Sequence, residues 1–594
     1  MPNFRAHTFH IPVMGIGYTI DTPIKVAPYG ISSVISLVDD MLMETMREFY
    51  SKNMNLSYTA ISSKTYDARA KRITEYLNMV DKIVRDKVAE MKLSYQEKEG
   101  ELQKYFDMLP DLSSLKADMK KAFQNSRVVK DFNAWSKGDL VVGSIDVNIM
   151  TKLDKENYSD GVKQTDEFND AHAALRGFAN STLCSSLVFS AGMNPKLYGY
   201  LEQFNDFYPD ETGAFRKKIT LKVSDFRSAL IQGKFLAKKG LWVSEYRVES
   251  GLNCGGHAFA SDGSLMGPIL EEFKNSREDL IHSTFELYAK ALTEKGKFAP
   301  STPPEIRFTA QGGVGTADEH EFLLNQYHLD SVGWGTPFLL VPEAVSIDNG
   351  TMEQLCQATE DDLYLSNISP LGVPFNSLRG NTQDLKKAER IAQGVPGSNC
   401  HKRYLALNHE FSEKGGCTAS REYQKQKIEL LKTQNLSAEE YSKQESAITD
   451  KSCICSGLGI STLLVNKINT APFGDGVSVC PGPNMAYFSK SVSLKSMVDH
   501  IYGRCDIIER KDRPSMFVNE LSIYIEYLKG KVANLQVGAP EKEIKSLNSV
   551  KNNLLKGIEY YRDVLANTKE RIQVFSTQMM NDLDKQEKEL NGIL

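Results

Sequence analysis

The chain has 594 residues, of which 41% are hydrophobic and 25% are charged, and its formal net charge is −5. This composition provides apolar material for a large core and excludes a globally disordered chain. The small net charge, without a clustered basic surface, argues against nucleic acid as a partner, and the lack of a run of about 18 apolar residues argues against a membrane span.

The N-terminal apolar stretch, residues 11–20, contains two glycines and is not followed by a small-residue cleavage site. It therefore indicates a first strand and not a signal peptide, and we expect a cytoplasmic protein. Thr22 and Pro23 then mark the start of a helix, and the β-branched run 31–38 is long enough for a second buried strand.

Further strand-like runs follow at regular intervals, and most are separated by segments that can hold a helix. They lie at 140–150, 185–190, 218–223, 241–249, 305–310 and 331–340. With the first two, they predict an α/β fold in which residues 1–39 and 136–345 form a closed (β/α)8 TIM barrel. The active site of such a barrel is expected on the loops that follow the strands.

The rest of the chain predicts three additions to the barrel. Residues 40–135 are charged, almost free of glycine and carry apolar residues at helical spacing, which predicts a long helical insertion. Residues 346–510 are rich in loops, cysteine and glycine. Residues 511–594 again show helical spacing, which predicts a C-terminal helical cap on the barrel or on the insertion. A homodimer contact through the helical regions is the alternative for this last segment.

Glycine turns after two late strands predict a phosphate site. The segment 311–316 directly follows an apolar strand, and Gly335-Thr336 ends the next strand. Backbone N–H groups freed by glycine can converge on an anion, and a helix that begins near Thr316 would add its positive dipole end. In TIM barrels the loops after strands seven and eight commonly form one phosphate site.

Two other strand ends carry candidate site residues. The segment 250–257 follows a strand and contains paired glycines, which allow close backbone approach to a cofactor, and a histidine. His257 could act as a base near neutral pH, or it could cap or orient a loop. Asn148 lies at the end of another strand, where its amide would suit the edge of a flavin ring, although asparagine also commonly ends strands.

In chain order these segments resemble the nitronate monooxygenase (2-nitropropane dioxygenase-like) family of FMN-dependent barrels, which includes enoyl reductases of polyketide and polyunsaturated-fatty-acid synthesis. The matching segments are 14–15, 146–150, 187–192, 250–257, 311–313 and 335–339. The resemblance covers roughly residues 1–40 and 138–345. It implies an FMN cofactor and an oxidoreductase reaction in which the flavin exchanges a hydride or electrons with the substrate.

The resemblance also implies roles for individual residues. The residues around the phosphate would be Gly255, Gly256, Gly312, Gly313, Gly335 and Thr336. Further cofactor contacts would come from Met14, Gly15, Asn148, Lys222, Ser250 and Gln311. His257 occupies the place of the family's base, which takes a proton from carbon beside an electron-withdrawing group.

Three departures from the family pattern leave the substrate open: Ser250 replaces glutamine, Asn253-Cys254 replaces Glu-Ala, and Pro337 replaces arginine. The alternatives are a nitronate monooxygenase, an enoyl or ene reductase acting on an acyl chain, and a flavin-binding interaction scaffold without turnover. The electron donor would be a partner such as NAD(P)H or ferredoxin.

Five of the nine cysteines are crowded between residues 400 and 480: Cys400, Cys417, Cys453, Cys455 and Cys480. Such crowding in a cytosolic chain suggests metal or redox use. Four thiolates on loops rich in glycine and proline suit a [4Fe–4S] cluster, which could pass single electrons to the flavin, or a structural zinc ion. No standard ligand spacing is matched, so the absence of a metal also stays open. His401 and His409 are alternative ligands.

Overall fold

The structure is a computed structural model that describes residues 5–93, 100–113, 116–117, 140–190, 192–400, 402–474, 476–535, 540–566 and 573–593. Eight strands run parallel in sequential order around a closed ring. They are β1 Phe9–Ile11, β2 Ser32–Ser36, β3 Ile145–Met150, β4 Ser185–Ser190, β5 Lys217–Val223, β6 Val243–Glu249, β7 Arg307–Gln311 and β8 Ser331–Gly333, and β8 pairs with β1. The predicted (β/α)8 TIM barrel is therefore confirmed.

Helices connect the barrel strands on the outside. In chain order they are α1 Thr22–Val26, α2 Asp40–Asn53, α3 Ala68–Leu93, α4 Glu101–Met108, α5 Asp170–Ala179, α6 Pro195–Tyr200, α7 Phe226–Ala237, α8 Met266–Asn275, α9 Arg277–Glu294 and α10 Ala317–Tyr327. The helix predicted to start at Thr22-Pro23 is α1, and proline is tolerated there because the first helical N–H needs no partner.

Helices α2, α3 and α4 belong to the predicted insertion, and α3 packs against α1 and α5 on the outside of the barrel. The Tyr76 hydroxyl of α3 donates to the Ile20 carbonyl at 2.9 Å, and the Thr74 hydroxyl donates to the Gly177 carbonyl of α5 at 2.9 Å. The insertion is thus packed on the barrel over its described part. The portion of the prediction that falls on 94–99, 114–115 and 118–135 lies outside the described residues.

The cysteine-rich segment contains helices and one small sheet. The elements are α11 Asn349–Gln357, β9 Leu363–Ser366, β10 Phe375–Leu378, α12 Thr382–Ala392, α13 Arg421–Lys432, α14 Ala438–Thr449, α15 Ile454–Val465 and α16 Leu494–Ile501. In the described part of the chain no single helix is both long and apolar enough to span a membrane. Only α14 and α15, bent by 44° at the break between them, meet both criteria together.

The predicted C-terminal helical cap consists of α17 Met516–Ala533, α18 Glu541–Ala566 and α19 Gln573–Asn591, which pack on one another. Helix α18 also packs on α8 of the barrel, where the Tyr561 hydroxyl accepts from the Gly267 amide at 3.1 Å. The homodimer contact and the domain boundaries at residues 39, 136, 345 and 511 stay predictions.

Several predicted strands are shorter in the structure. The stretch 11–20, predicted as the first strand, contributes only Ile11 to β1, and its two glycines lie in the turns that follow. The run 140–150 becomes strand only from Ile145. The run 331–340 leaves the barrel after Gly333 and continues as a 3-10 helix, Thr336–Leu340. Pro337 lacks an amide hydrogen and fixes φ, so it cannot continue a strand ladder and favours the first turn of a helix.

Candidate active site at the barrel mouth

A cavity of about 390 Å³ opens at the carboxyl ends of the barrel strands. Each strand contributes a lining residue at or near this end: Met14, Ser36, Asn148, Ser190, Lys222, Glu249, Gln311 and Gly333. The residues predicted to bind the cofactor or to move a proton all line it: Met14, Gly15, Asn148, Lys222, Ser250, Gly255, Gly256, His257, Gln311, Gly312, Gly313, Gly335 and Thr336. The structure therefore gathers them at the end of the barrel where TIM-barrel active sites lie.

The loop after β7 can exist only with glycine at two consecutive positions. Gly312 and Gly313 have φ angles of +132° and +77°, which L side chains rarely adopt. A Cβ on Gly313 would lie 2.1 Å from Asn253 Nδ2. Within the described residues, no protein acceptor is present for the amides of Gly313, Gly335 and Thr336. These three amides on neighbouring loops are therefore available to an anion.

The start of α10 contributes less than the sequence suggested. The amides of Gly315 and Thr316 donate to Glu319 Oε2 at 2.8 and 3.3 Å, and Thr316 and Glu319 form a capping box. Glu319 is also paired with Arg513 at 2.8 Å. The expectation that the amides at this helix start face the anion is thus wrong, because Glu319 occupies the amides of Gly315 and Thr316 and neither residue lines the cavity. The pattern Thr-x-x-Glu was the overlooked signal.

A polar group spans the ends of β5, β6 and β7. Lys222 Nζ lies 2.8 Å from one oxygen of Glu249, and Gln311 Nε2 donates to the other oxygen at 2.7 Å. Gln311 Oε1 is buried and has no hydrogen-bond partner among the described residues. A buried acceptor of this kind fits a ligand that donates a hydrogen bond. Sequence reasoning found Lys222 and Gln311 but missed Glu249, the last residue of β6.

Two predicted side chains are already engaged by the protein. The Asn148 amide donates to Ser190 Oγ at 3.2 Å and to the Val188 carbonyl at 3.3 Å. The Ser250 hydroxyl donates to Glu520 of α17 at 2.5 Å. Burial raises the pKa of the Glu520 carboxyl to about 7. Ser250 is therefore anchored to the C-terminal cap, a contact that local sequence could not reveal.

His257 lies on the wall of the cavity and is held by the cysteine-rich segment. Its Nε2 is 2.7 Å from Ser369 Oγ, and its ring meets the ring of Phe375 edge-on with centroids 4.9 Å apart. Burial, assisted by the charge of Lys152, lowers the pKa of His257 to about 4. The imidazole is therefore neutral at neutral pH, which is the form that can accept a proton.

Residues of the cysteine-rich segment between 375 and 484 line one side of the cavity, and we call this part of the chain the lid. Leu458 of α15 lines the cavity, and its carbonyl accepts from the Gly17 amide at 2.9 Å. The Thr462 hydroxyl of the same helix donates to the Gly17 carbonyl at 2.8 Å. The Gly482 amide donates to the Thr336 hydroxyl at 3.0 Å, so a second lid loop also meets the predicted phosphate region.

The structure divides the five candidate cysteine ligands. The sulfur atoms of Cys400, Cys453 and Cys455 all lie within 4.8 Å of one another. Cys417 lies outside this group but close enough for its thiol to interact with theirs; burial and those neighbours raise the pKa of Cys417 to about 12. Cys480 lines the cavity instead, and its carbonyl accepts from the Gly256 amide at 3.1 Å.

Among the described residues, the candidate ligand His409 is not part of this group. His409 Nδ1 lies 3.1 Å from the Glu413 carbonyl on the surface, and His401 is outside the described residues. Cys455 both belongs to the group and lines the cavity, so the cysteines lie directly behind the lid.

No protein-family model matches the chain, and no curated protein matches it in sequence. Among solved structures, FabK from Thermotoga maritima is similar over 88% of this chain and 95% of its own, with 12% identity and a TM-score of 0.34. The enoyl reductase domain of MlnA from the macrolactin biosynthesis cluster of Bacillus amyloliquefaciens is similar over 76% of this chain and 88% of its own, with 11% identity and a TM-score of 0.31. Nitroalkane oxidase from Streptomyces ansochromogenes is similar over 84% of this chain and 94% of its own, with 10% identity and a TM-score of 0.33. These scores are too low to assign the chain to a family, and the closed parallel barrel is established by its own strand pairing.

Proposed function

We propose that this chain is an FMN-dependent oxidoreductase of the nitronate monooxygenase-like type that binds FMN in the cavity at the barrel mouth. The main support for the proposal is that motif residues at strand ends far apart in the sequence line one cavity. Its volume of about 390 Å³ is in the range of small-molecule and cofactor sites.

The residues present fit the two ends of an FMN molecule. The amides of Gly313, Gly335 and Thr336 would hold the phosphate, since they lie on neighbouring loops and have no described protein acceptor. Gln311 Oε1 and the Lys222 ammonium group would face the polar ring edge. When bound, the flavin supplies the capacity to accept or deliver a hydride or single electrons.

His257 would act on the proton of the substrate. In the tautomer whose Nε2–H donates to Ser369, Nδ1 carries the lone pair and can take a proton from carbon beside an electron-withdrawing group. The edge contact with Phe375 and the hydrogen bond to Ser369 both restrict the ring, so the lone pair keeps one direction. Lys152 lies near enough to disfavour the imidazolium and to attract an anionic group of the substrate.

An enoyl or ene reductase acting on an acyl chain is the second candidate, and the lid is the observation that favours it. The lid side of the cavity is apolar, with Phe375, Leu405, Ile454, Leu458 and Val479 among its lining residues. Such a wall buries hydrocarbon favourably. The same barrel residues would then return a proton to carbon instead of removing one.

The absorption spectrum and the electron partners of the purified chain test the proposal. We expect peaks at about 370 and about 450 nm, and FMN in the supernatant after denaturation. Oxygen consumption with alkyl nitronates would support the monooxygenase, and reduction of an enoyl thioester with NAD(P)H or ferredoxin would support the reductase. Bound flavin that no donor reduces, with function unchanged in His257→Ala, would support the scaffold. Protein prepared with ample riboflavin that releases no FMN would overturn the proposal.

A further inference from the structure

The cysteine group behind the lid has the dimensions of a site for one metal ion. In a tetrahedral thiolate site with metal–sulfur bonds of about 2.3 Å, neighbouring sulfurs are about 3.8 Å apart. In a four-iron cube each thiolate binds a different iron at a separate corner, so the thiolates stand much further apart. Cys400, Cys453 and Cys455 lie within 4.8 Å of one another, which fits the single ion.

The backbone around these cysteines is arranged to support thiolates. The backbone of Lys402 and Arg403 lies close to the Cys400 sulfur, and that of Ser456 lies close to the Cys453 sulfur. Hydrogen bonds to a charged sulfur favour its deprotonated form, which is the form that binds metal. Isolated bridges between Ser398 and Ser420 and between 408 and 416 hold the intervening loop, which otherwise lacks helix and strand.

A buried guanidinium nitrogen next to the group lacks a hydrogen-bond partner among the described residues, which is a second indication of negative charge there. Arg390 Nε is buried and has no hydrogen-bond partner in the part of the chain that the structure describes. The Arg390 guanidinium group interacts with Cys453. A zinc ion with three or four thiolates carries net negative charge, so its thiolates would accept from this buried N–H.

We infer that Cys400, Cys453 and Cys455 bind one zinc ion, and that the neighbouring thiol of Cys417 moves towards the ion as the fourth ligand. Four thiolates would close the coordination shell, as in structural sites, and leave no position for catalysis or electron transfer. This assignment replaces the iron–sulfur cluster considered from the sequence. It does not depend on the identity of the cofactor in the barrel.

The site would tie the lid helix α15 to the loop that carries Cys400 and Cys417. Cys453 and Cys455 flank the first residue of α15, the helix that contacts Gly17 and lines the cavity. Cys400 and Cys417 come from the loop-rich stretch before α13. One ion would thus join two segments that share few regular hydrogen bonds, and its binding free energy would add to the stability of the lid.

Metal analysis of the full chain tests the inference. We expect about one zinc ion per chain, zinc–sulfur distances of about 2.3 Å by X-ray absorption, and no metal–metal scattering. Replacing Cys400, Cys417, Cys453 or Cys455 by serine should reduce the zinc content at least about tenfold. Cys356→Ser is the matched control, because Cys356 belongs to the same segment but not to the group, and it should keep the zinc.

A second measurement avoids variants that fail to fold. In the unmodified chain, a mercurial thiol reagent should release the zinc into a colorimetric indicator as the clustered thiols react, and trypsin should then cut the loop 393–420 faster. Iron with equimolar sulfide, or a metal-free chain with a disulfide between any two of the four cysteines, would overturn the inference. FMN content is measured separately, so loss of flavin with retained zinc would count against the proposed function alone.

Discussion

Replacing Gly256 by alanine tests whether the cavity wall contacts a cofactor. Gly256 has a φ of +78° and lines the cavity, and a Cβ built on it meets no protein atom within 4 Å. Gly394 has a φ of +71°, also with no atom within 4 Å, and lies on the loop after α12, away from the cavity lining. The two substitutions therefore carry the same backbone strain and differ in whether the methyl group enters the cavity wall.

The magnitudes separate the two effects. Placing alanine at a left-handed φ costs about 1–2 kcal/mol of folding stability, and we expect this loss in both variants. A methyl group forced into a packed contact costs about 1–3 kcal/mol more, which weakens binding by roughly 5- to 150-fold. Only Gly256→Ala should show this second loss, because only its Cβ would meet bound FMN.

The assay is FMN binding to apoprotein, followed by quenching of flavin fluorescence, with urea unfolding of the same samples as the stability control. Gly394→Ala should bind FMN as the parent chain does, while Gly256→Ala should bind more weakly at equal or similar stability. If both variants bind FMN with the parent affinity, the phosphate and ring do not lie against this wall, and the placement of the cofactor is refuted.

Two pH dependences follow from buried groups. Because the pKa of His257 is lowered to about 4, the rate of proton abstraction should be independent of pH between 6 and 8 and should fall about tenfold per pH unit below 4. A rate that rises towards low pH would instead indicate that the imidazolium donates a proton. Burial raises the pKa of the Glu520 carboxyl from 4.5 to about 7. The neutral carboxyl therefore stabilises the fold fully below pH 4.5, and the free energy of unfolding should drop by roughly 3 kcal/mol as the pH rises from 4.5 through 7. Glu520→Gln should remove that drop in urea unfolding at pH 5 and pH 8, and an unchanged drop would assign it to other groups.

The barrel could be predicted from sequence because its signals are local. Each strand is a short apolar run, and the glycines at 312–313 and 335 directly follow such runs. The end of β8 before Pro337 and the capping box of Thr316 and Glu319 also have local sequence signals, namely the proline and the pattern Thr-x-x-Glu.

The rest of the site depends on contacts between distant parts of the chain. Ser369 lies 112 residues from His257, and Glu520 lies 270 residues from Ser250. A serine in a loop and a glutamate on an amphipathic helix look like ordinary surface residues in a single sequence. In the folded chain both side chains form hydrogen bonds with residues of the cavity wall, which no local sequence pattern reveals.

The lid changes how the resemblance should be used. The motifs that resemble the flavin-dependent family cover the barrel, yet one wall of the cavity comes from residues 375–484, outside those motifs. Backbone amides of the barrel can hold the phosphate of a cofactor whatever the substrate is, because they interact with the negative charge of the phosphate. The apolar residues of the lid and His257, whose ring is held by Ser369, line the rest of the cavity. We therefore expect the barrel to determine which cofactor binds and the lid to determine which substrate is accepted.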